Sequence, residues 1–598
     1  MTERELTAQA VVDREIPAEP SLSPDGRWVA FVTCPVGWVG GRRTSTVWLA
    51  RADGTEPPRR LTPGTADDSG PRWAPDSGSL FFLSDAQLYR VGLSGGAAER
   101  VTELPGGLTD FAPLPDGTAV ALIGPGAADN EPSGLDVPHQ PTDPRPDRLW
   151  LLDLPTRAVR PAADLGHHHV REVAPRPDGQ TLAVLTWSTA ERNPGVFEPG
   201  LFLVDVTTGA TEDLGAPALD AADLIWWRHE NAWQLAYRGL TPPGLVGGHA
   251  IFAVPGHRNL TAAMTSCPIE LAQGPHALFA DGLDTTIRRL DPATETFVEV
   301  ERARGSLTGL SVTDAGTFAV IASAGNEPEQ VRTHRTISRT GPTGIRWGTQ
   351  ERLHYQAKDG TDLDGLLVLP PGKADGPFPL VTLVHGGPYD RFADRLNLSW
   401  YPSGQWLAAA GFAVFLPNPR GSMGRGHAFA AEVAGDVGGA EWGDVEAGIG
   451  LLVEREVADE GRLGIGGGSH GGFLAAWAVG QTDRFKAAVV LAGVIDWPLL
   501  AETGEHSRFE AALGGKDNSP ITHAHRIRTP VLILHGEADT NVPLSQAELL
   551  HDALRDREHE FVVYPGENHS IRGRDHQIDV LHRTREWFSR WLTPARPA

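Results

Sequence analysis

The sequence predicts two architectures in series: an N-terminal β-propeller of seven blades, and a C-terminal α/β domain on a doubly wound, mostly parallel sheet. Three observations carry this. A tight turn followed by an apolar strand recurs seven times before residue 335. After residue 336, apolar strands alternate with helical patterns. In that second half a serine stands among glycines between a strand and an alanine-rich helix, Leu463-Gly-Ile-Gly-Gly-Gly-Ser-His-Gly-Gly-Phe-Leu-Ala-Ala-Trp477. A chain of 598 residues exceeds what one hydrophobic core supports, so at least two domains are required.

Residues 1–16 read as a short helix ending before Pro17. The repeat then begins. Ser23-Pro-Asp-Gly-Arg-Trp-Val-Ala-Phe-Val32 is matched by segments starting at Trp73, Leu114 and Arg176, and again by Thr313-Asp-Ala-Gly-Thr-Phe-Ala-Val-Ile321. Weaker echoes start at Arg228 and Gly274. Proline fixes φ in such a turn and glycine accepts φ > 0. The first four turn aspartates, Asp25, Asp76, Asp116 and Asp178, recur every ~40–60 residues, a spacing typical of propeller blades and repeat arrays. Further strands, such as Gln87–Val91 and Leu201–Gly209, lie between the turns. A pair of β-sandwiches is the competing architecture, and the regular recurrence disfavours it.

Other features of this half read as structural. His167-His168-His169 lacks ligands at metal spacing and reads as a solvated loop. Gly124–Pro146, rich in Pro, Asp and Gly, reads as a long loop. Trp226, Trp227 and Trp233 read as blade filling.

From residue 336 the pattern changes. Arg352–Ala357 and Leu363–Pro370 read as a hairpin. Strands are expected at Leu380–Val384, Ala413–Leu416, Leu463–Ile465, Ala487–Ala492, Val531–Leu534 and Glu560–Tyr564. Helices are expected at Gln405–Ala410, Asp444–Glu456, Gly472–Gly480, Leu544–Arg555 and Asp575–Trp591. In a sheet of this kind, catalytic groups belong on loops at the carboxyl ends of strands.

Candidate groups stand there. Gly467-Gly-Ser-His-Gly471 has the form of a nucleophile elbow, in which a strained turn exposes Ser469 and small neighbours let strand and helix approach. The N–H of His470 then points at the site as one oxyanion donor. Val384-His-Gly-Gly-Pro388 leaves another strand, and Gly386 or Gly387 supplies the second donor. Asp539 follows Val531–Leu534 and His569 follows Glu560–Tyr564. The order Ser469, Asp539, His569 is that of an α/β-hydrolase: His569 takes the serine proton and returns it to the leaving group, while Asp539 fixes the imidazole and stabilises its cation. Glu537 and Glu567 are rival acids on the same loops. His385 and His535 read as loop supports, and the ring of His470 should point away from the site.

A formal net charge of −24 argues against nucleic acid or an anionic membrane as partner. Cys34 and Cys267 are the only cysteines, too few for a disulfide framework or a Cys-based zinc site. The charged N-terminus lacks an apolar signal core and no stretch approaches a membrane span, so a cytoplasmic location is expected. The triad needs no cofactor.

Together, His385-Gly-Gly-Pro388, Asn418-Pro-Arg-Gly-Ser422, Gly467-Gly-Ser-His-Gly-Gly472, His535-Gly-Glu-Ala-Asp539 with Val542-Pro543, and His569 resemble the prolyl oligopeptidase family of serine peptidases, nearest its acylaminoacyl peptidase-like branch. The propeller repeats resemble that family's N-terminal half, so the likeness spans nearly the whole chain. It implies residues 1–18 packing back on the catalytic domain, a propeller over 19–335 and a hydrolase domain over 336–598. It further implies a peptidase whose propeller restricts access to short peptides, N-acylated or not, and it allows monomers or homo-oligomers. Two departures stand out. The dipeptidyl-peptidase branch carries paired glutamates in its propeller, where this chain has Arg228-His-Glu-Asn231. The family's tyrosine-rich stretch after Asp-Trp is replaced here by Pro498-Leu-Leu-Ala-Glu-Thr-Gly-Glu-His506. The alternatives are a carboxylic-ester hydrolase with the same triad, a dipeptidyl- or aminopeptidase, or a binding propeller carrying an inactive hydrolase.

Overall fold

The computed structural model describes residues 4–126, 145–338, 341–372 and 376–593. Seven small antiparallel sheets succeed one another along the first half, six of four strands and the last of three. These are the propeller blades. Every predicted turn, strong or weak, joins the first two strands of a blade, as Ser23–Arg27 does between Glu15–Leu22 and Trp28–Pro35. The second strands are buried almost throughout; Leu80, Val120, Leu182 and Leu278 have no exposure, and apolar clusters fill the spaces between neighbouring blades. Trp226 and Trp227 belong to such clusters on opposite faces of one blade. Ring closure is by packing. Leu22, Val29 and Phe31 of the first blade meet Ala319, Ile321 and Val331 of the seventh, and Leu22 N–H donates to Ser311 Oγ at 2.9 Å.

The first blade strand, Glu15–Leu22, begins inside the segment expected to lie outside the propeller. Pro17 and Pro20 concealed it. They are tolerated because an edge strand need not donate every N–H, and the register shifts between Ala18 and Ser21. Before it, a helix over Ala8–Val12 is capped by Thr7, whose hydroxyl accepts from Ala10 N–H. Leu6, Ala8, Val11 and Val12 share a core with Val580, Trp587 and Phe588 of the C-terminal helix Arg574–Leu592, so this segment packs on the catalytic domain. His169 is also not in a solvated loop: it opens the strand His169–Pro175, is buried, and accepts the Asp147 N–H at Nδ1. Most of the expected loop Gly124–Pro146 lies outside the described residues.

The second half forms one eight-stranded sheet. Its order is Thr349–Gln356, Asp362–Leu369, Ala413–Asn418, Phe378–Val384, Ala458–Gly468, Phe485–Leu491, Val531–Gly536, His559–Tyr564. The first two strands run antiparallel to their neighbours and the rest pair parallel. Apolar cores cover both faces, as a parallel sheet requires.

In a blade of antiparallel strands, the turns joining first to second strands lie at one end and those joining second to third strands at the other. Contacts to the catalytic domain use the latter end. Arg391 donates to the carbonyls of Gly282 and Asp284 and to Thr285 Oγ1, and Gly325 N–H donates to Asp394 O. Cys267 Sγ accepts the N–H groups of Gly424 and Gly426. The Pro-Asp-Gly turns therefore mark the propeller face remote from the chemistry. No helix among the described residues is long and apolar enough to cross a membrane.

Candidate active site

Ser469 leaves the strand Ala458–Gly468 with φ 57° and ψ −122° and opens the helix His470–Gln481. A non-glycine residue in that region is strained, and the surroundings hold it there. Its N–H donates to Leu491 O at 2.9 Å and its carbonyl accepts from Phe473 N–H at 2.9 Å. The flanking glycines are obligatory. A Cβ on Gly467 would lie 2.2 Å from the Gly471 carbonyl carbon, and one on Gly471 would lie 2.2 Å from Val384 O. Strand and helix thus cross at backbone contact, and the serine is forced outward.

The oxyanion candidates surround it. His470 is the first residue of its helix, so its N–H has no acceptor within the helix. A Cβ on Gly386 would sit 3.5 Å from Ser469 Cβ, and Gly387, with φ 114°, lines the same cavity as Ser469. The His470 ring does turn away: Nε2 lies 3.0 Å from the buried Glu441 Oε2, and the ring packs on Phe473 and Trp497.

Asp539 and His569 meet as expected. Asp539 Oδ2 lies 2.7 Å from His569 Nδ1. Its Oδ1 accepts the N–H groups of Asn541 at 3.0 Å and Val542 at 2.9 Å. Burial pushes the Asp539 carboxyl up, but bonds from His535 and His569 outweigh it and hold the group below its ordinary value. Ser469 stands at the carboxyl end of a strand two places away in the sheet. Among the described residues no hydrogen bond joins its hydroxyl to His569, whose Nδ1 is the nitrogen held by Asp539. Catalytic hydrogen bonds of this kind commonly tighten only when substrate is bound.

The rival groups are occupied elsewhere. Glu537 accepts Gly566 N–H, and Glu567 accepts the N–H groups of Arg572 and Gly573 and pairs with His576. His385 bonds Ser422 Oγ at 2.9 Å, and burial keeps its pKa low, so it supports the glycine loop as a neutral ring. His535 Nε2 lies 2.8 Å from Val542 O and 3.4 Å from Asp539 Oδ2, behind the acid.

A cavity of about 330 Å³ lies above Ser469. The catalytic domain contributes Tyr389, Val494, Trp497, Leu500, Glu510 and Val542, and the propeller contributes Arg192, Phe197, Asp220, Leu240, Leu245 and His249. Asp220 pairs with His249 Nε2 at 2.7 Å, and Tyr389 Oη accepts His249 N–H at 3.0 Å. Glu230 is absent from this wall; it sits at φ 46° on a remote-face turn with its side chain exposed. Apart from Trp497 and Leu500, in the stretch that begins at the Asp-Trp pair, and Val542, named with Asp539, these cavity residues were not foreseen. The helices Trp497–Thr503 and Ser507–Leu513 are short and carry no strong periodicity, and the propeller residues are distant in sequence. Only Asn541, two residues past Asp539, had a position that could have drawn notice.

Residues 399–595 match the prolyl oligopeptidase family model. The catalytic domain is similar to that family over those residues. The chain is 26% identical to the peptidase YuxL of Bacillus subtilis, over 98% of this chain and 99% of that protein. It is 31% identical to the acylamino-acid-releasing enzyme of Sus scrofa, over 37% of this chain and 32% of the relative. Among solved structures, the acylaminoacyl peptidase of Pyrococcus horikoshii superposes with a TM-score of 0.81 at 19% identity, covering 99% of each chain. A puromycin-hydrolysing peptidase of Mycobacterium tuberculosis superposes with a TM-score of 0.73 at 23% identity, covering 100% of this chain and 98% of the other. The protein described here is accordingly a serine peptidase that acts on peptides.

Proposed function

We propose that the peptidase cleaves short, N-blocked peptides, with Ser469 as nucleophile, His569 as general base and acid, Asp539 as its orienting carboxylate, and His470 N–H with Gly387 or Gly386 N–H as the oxyanion hole. Attack by Ser469 forms a tetrahedral intermediate as its proton passes to His569 Nε2. Return of that proton to the leaving amine gives the acyl-enzyme, and water repeats the sequence to release the acid.

The observation that carries the reading is the cavity over Ser469, roofed by propeller residues. A roof of that kind admits a short chain and excludes a folded protein. The one carboxylate the propeller places in the wall, Asp220, has its Oδ2 engaged by His249 Nε2, so a substrate ammonium would meet a shared and not a dedicated countercharge in the roof. A blocked amine needs none. The experiment compares the purified protein with Ser469→Ala on an N-acetyl-leucine anilide, the same anilide with a free amine, and a short-chain ester. Serine-dependent turnover fastest on the acetylated anilide is expected. Preference for the free amine would assign an exopeptidase with Asp220 as amine anchor, and turnover of the ester alone would overturn the peptide reading.

A further inference from the structure

We propose that Glu510 is a specificity-determining residue, a carboxylate that receives the cationic end of a lysine- or arginine-type side chain on the residue before the scissile bond. The inference rests on the placement of the peptide at Ser469 argued above.

Glu510 lies on the helix Ser507–Leu513 and lines the cavity that contains Ser469. It is 5% exposed, and its Oε2 has no hydrogen-bond partner among the described residues. A buried carboxylate oxygen without a partner is expensive and uncommon. On the catalytic-domain side Val494, Trp497, Leu500, Phe509 and Leu513 line the same cavity, a largely apolar wall whose polar groups are the Trp497 indole N–H, itself without a partner among the described residues, and the His506 N–H that bonds the carboxylate. Such a wall suits a methylene stem, and a carboxylate at its end suits an ammonium or guanidinium, which snorkels along apolar surface to reach it. Burial, with a smaller push from Glu505 and against the bond from His506, brings the Glu510 carboxyl to about 7, so a cation entering here relieves both the burial and the repulsion. Glu510 shares the catalytic-domain wall of the cavity with Ser469 and His470, which favours the residue being acylated over a distal amine as its partner.

The position is also set by Gly504. A Cβ there would stand 2.6 Å from Oε1 and 2.7 Å from Oε2, so any larger residue must displace the carboxylate. That provides a second handle, because the displaced group is the end of a flexible side chain.

The test uses the full chain and three N-acetyl anilides whose first residue is lysine, norleucine or leucine. Norleucine keeps the stem of lysine and removes the charge. A site built to pair with a polar group rejects the analogue lacking it. The expected kcat/KM for lysine exceeds that for norleucine by about 10–100-fold, and the lysine-to-norleucine ratio falls at least tenfold in Glu510→Gln and in Gly504→Ala. A merely structural role for Glu510 would lower both substrates together and leave the ratio unchanged, which overturns the proposal. So does a wild-type protein that prefers norleucine, a result that needs no variant. Turnover of leucine and norleucine without lysine overturns this inference alone. Failure on all three overturns the underlying placement of the peptide as well. Selective loss of a free-amine leucine anilide in Glu510→Gln would put the carboxylate at the substrate amine and also overturn it.

Discussion

Glu441 Oε2 lies 3.0 Å from His470 Nε2, and the other oxygen of the same buried carboxylate accepts Gly438 N–H at 2.7 Å. The residue after the nucleophile is thereby tied to the helix Ala440–Glu454, and the helix start that carries the oxyanion N–H is tied with it. Glu441→Ala leaves the ring and the Gly438 N–H without a buried partner, a loss of about 1–3 kcal/mol. Lower thermal stability and a fall in kcat are expected, with Glu441→Gln recovering most of both. Equal defects in the two variants would mean that charge and not the hydrogen bonds is what matters.

The triad makes a sharper prediction. Ser469→Ala and His569→Ala should each lower kcat/KM by about 10³-fold or more, and the double variant should be little worse than either alone, since the groups act as a unit. Asp539→Asn keeps the shape but loses the charge that stabilises the imidazolium, and a loss of similar order is expected. Steady-state kinetics on the acetylated anilide checks all four proteins. Additive losses in the double variant would show that Ser469 and His569 do not work on one proton.

His535 stands behind the acid, 3.4 Å from Asp539 Oδ2 with Nε2 on the Val542 carbonyl. It holds the turn that presents Asp539. His535→Ala is expected to lower kcat about 10–100-fold with little change in KM, the pattern of a positioning residue. A change confined to KM would place it instead in substrate binding.

The elbow glycines test the backbone argument directly. Gly471→Ala forces a Cβ to within 2.2 Å of Val384 O and 2.7 Å of His385 O, where only backbone can yield. Strand and helix must separate, so loss of activity together with a large drop in Tm is expected. A soluble, fully active Gly471→Ala protein would contradict the close crossing on which the serine's exposure depends.

What the sequence discloses follows from how local each signal is. A Pro-Asp-Gly turn is written in three adjacent residues, so all seven blades could be counted, including the two that keep only a trace of it at Arg228 and Gly274. The elbow is equally local: Gly467, Ser469 and Gly471 declare a backbone conformation by themselves. Asp539 and His569 are legible because strand ends hold them in a fixed chain order. The cavity is different. Asp220 and His249 meet Tyr389 and Glu510 only because two domains close on each other, and no spacing encodes that contact. The first blade strand was hidden by Pro17 and Pro20, whose missing N–H groups matter less at a sheet edge. Arg228-His-Glu-Asn231, which stands where one branch of the resembled family carries paired glutamates, lies on the face away from Ser469, with Glu230 exposed and outside the cavity wall.

The propeller carries its own pH dependence. Glu172 accepts the N–H groups of Asp223 and Leu224 at the start of the next blade, and Glu270 does the same for Gly309 and Leu310. Burial pushes both carboxyls up to about 7. A raised carboxyl pKa means that the folded chain holds protons which unfolding releases, so its contribution is present at low pH and is lost as pH rises from the ordinary value of 4.5 through 7. Glutamine at both positions mimics the protonated state. The double variant Glu172→Gln with Glu270→Gln should match the wild type in Tm near pH 5 and exceed it near pH 8. The comparison with wild type at each pH removes the contribution of His169, His276 and His385, whose burial lowers their pKa and acts with the opposite sign. A gap in Tm that does not widen between those two pH values would show that neither carboxyl titrates there.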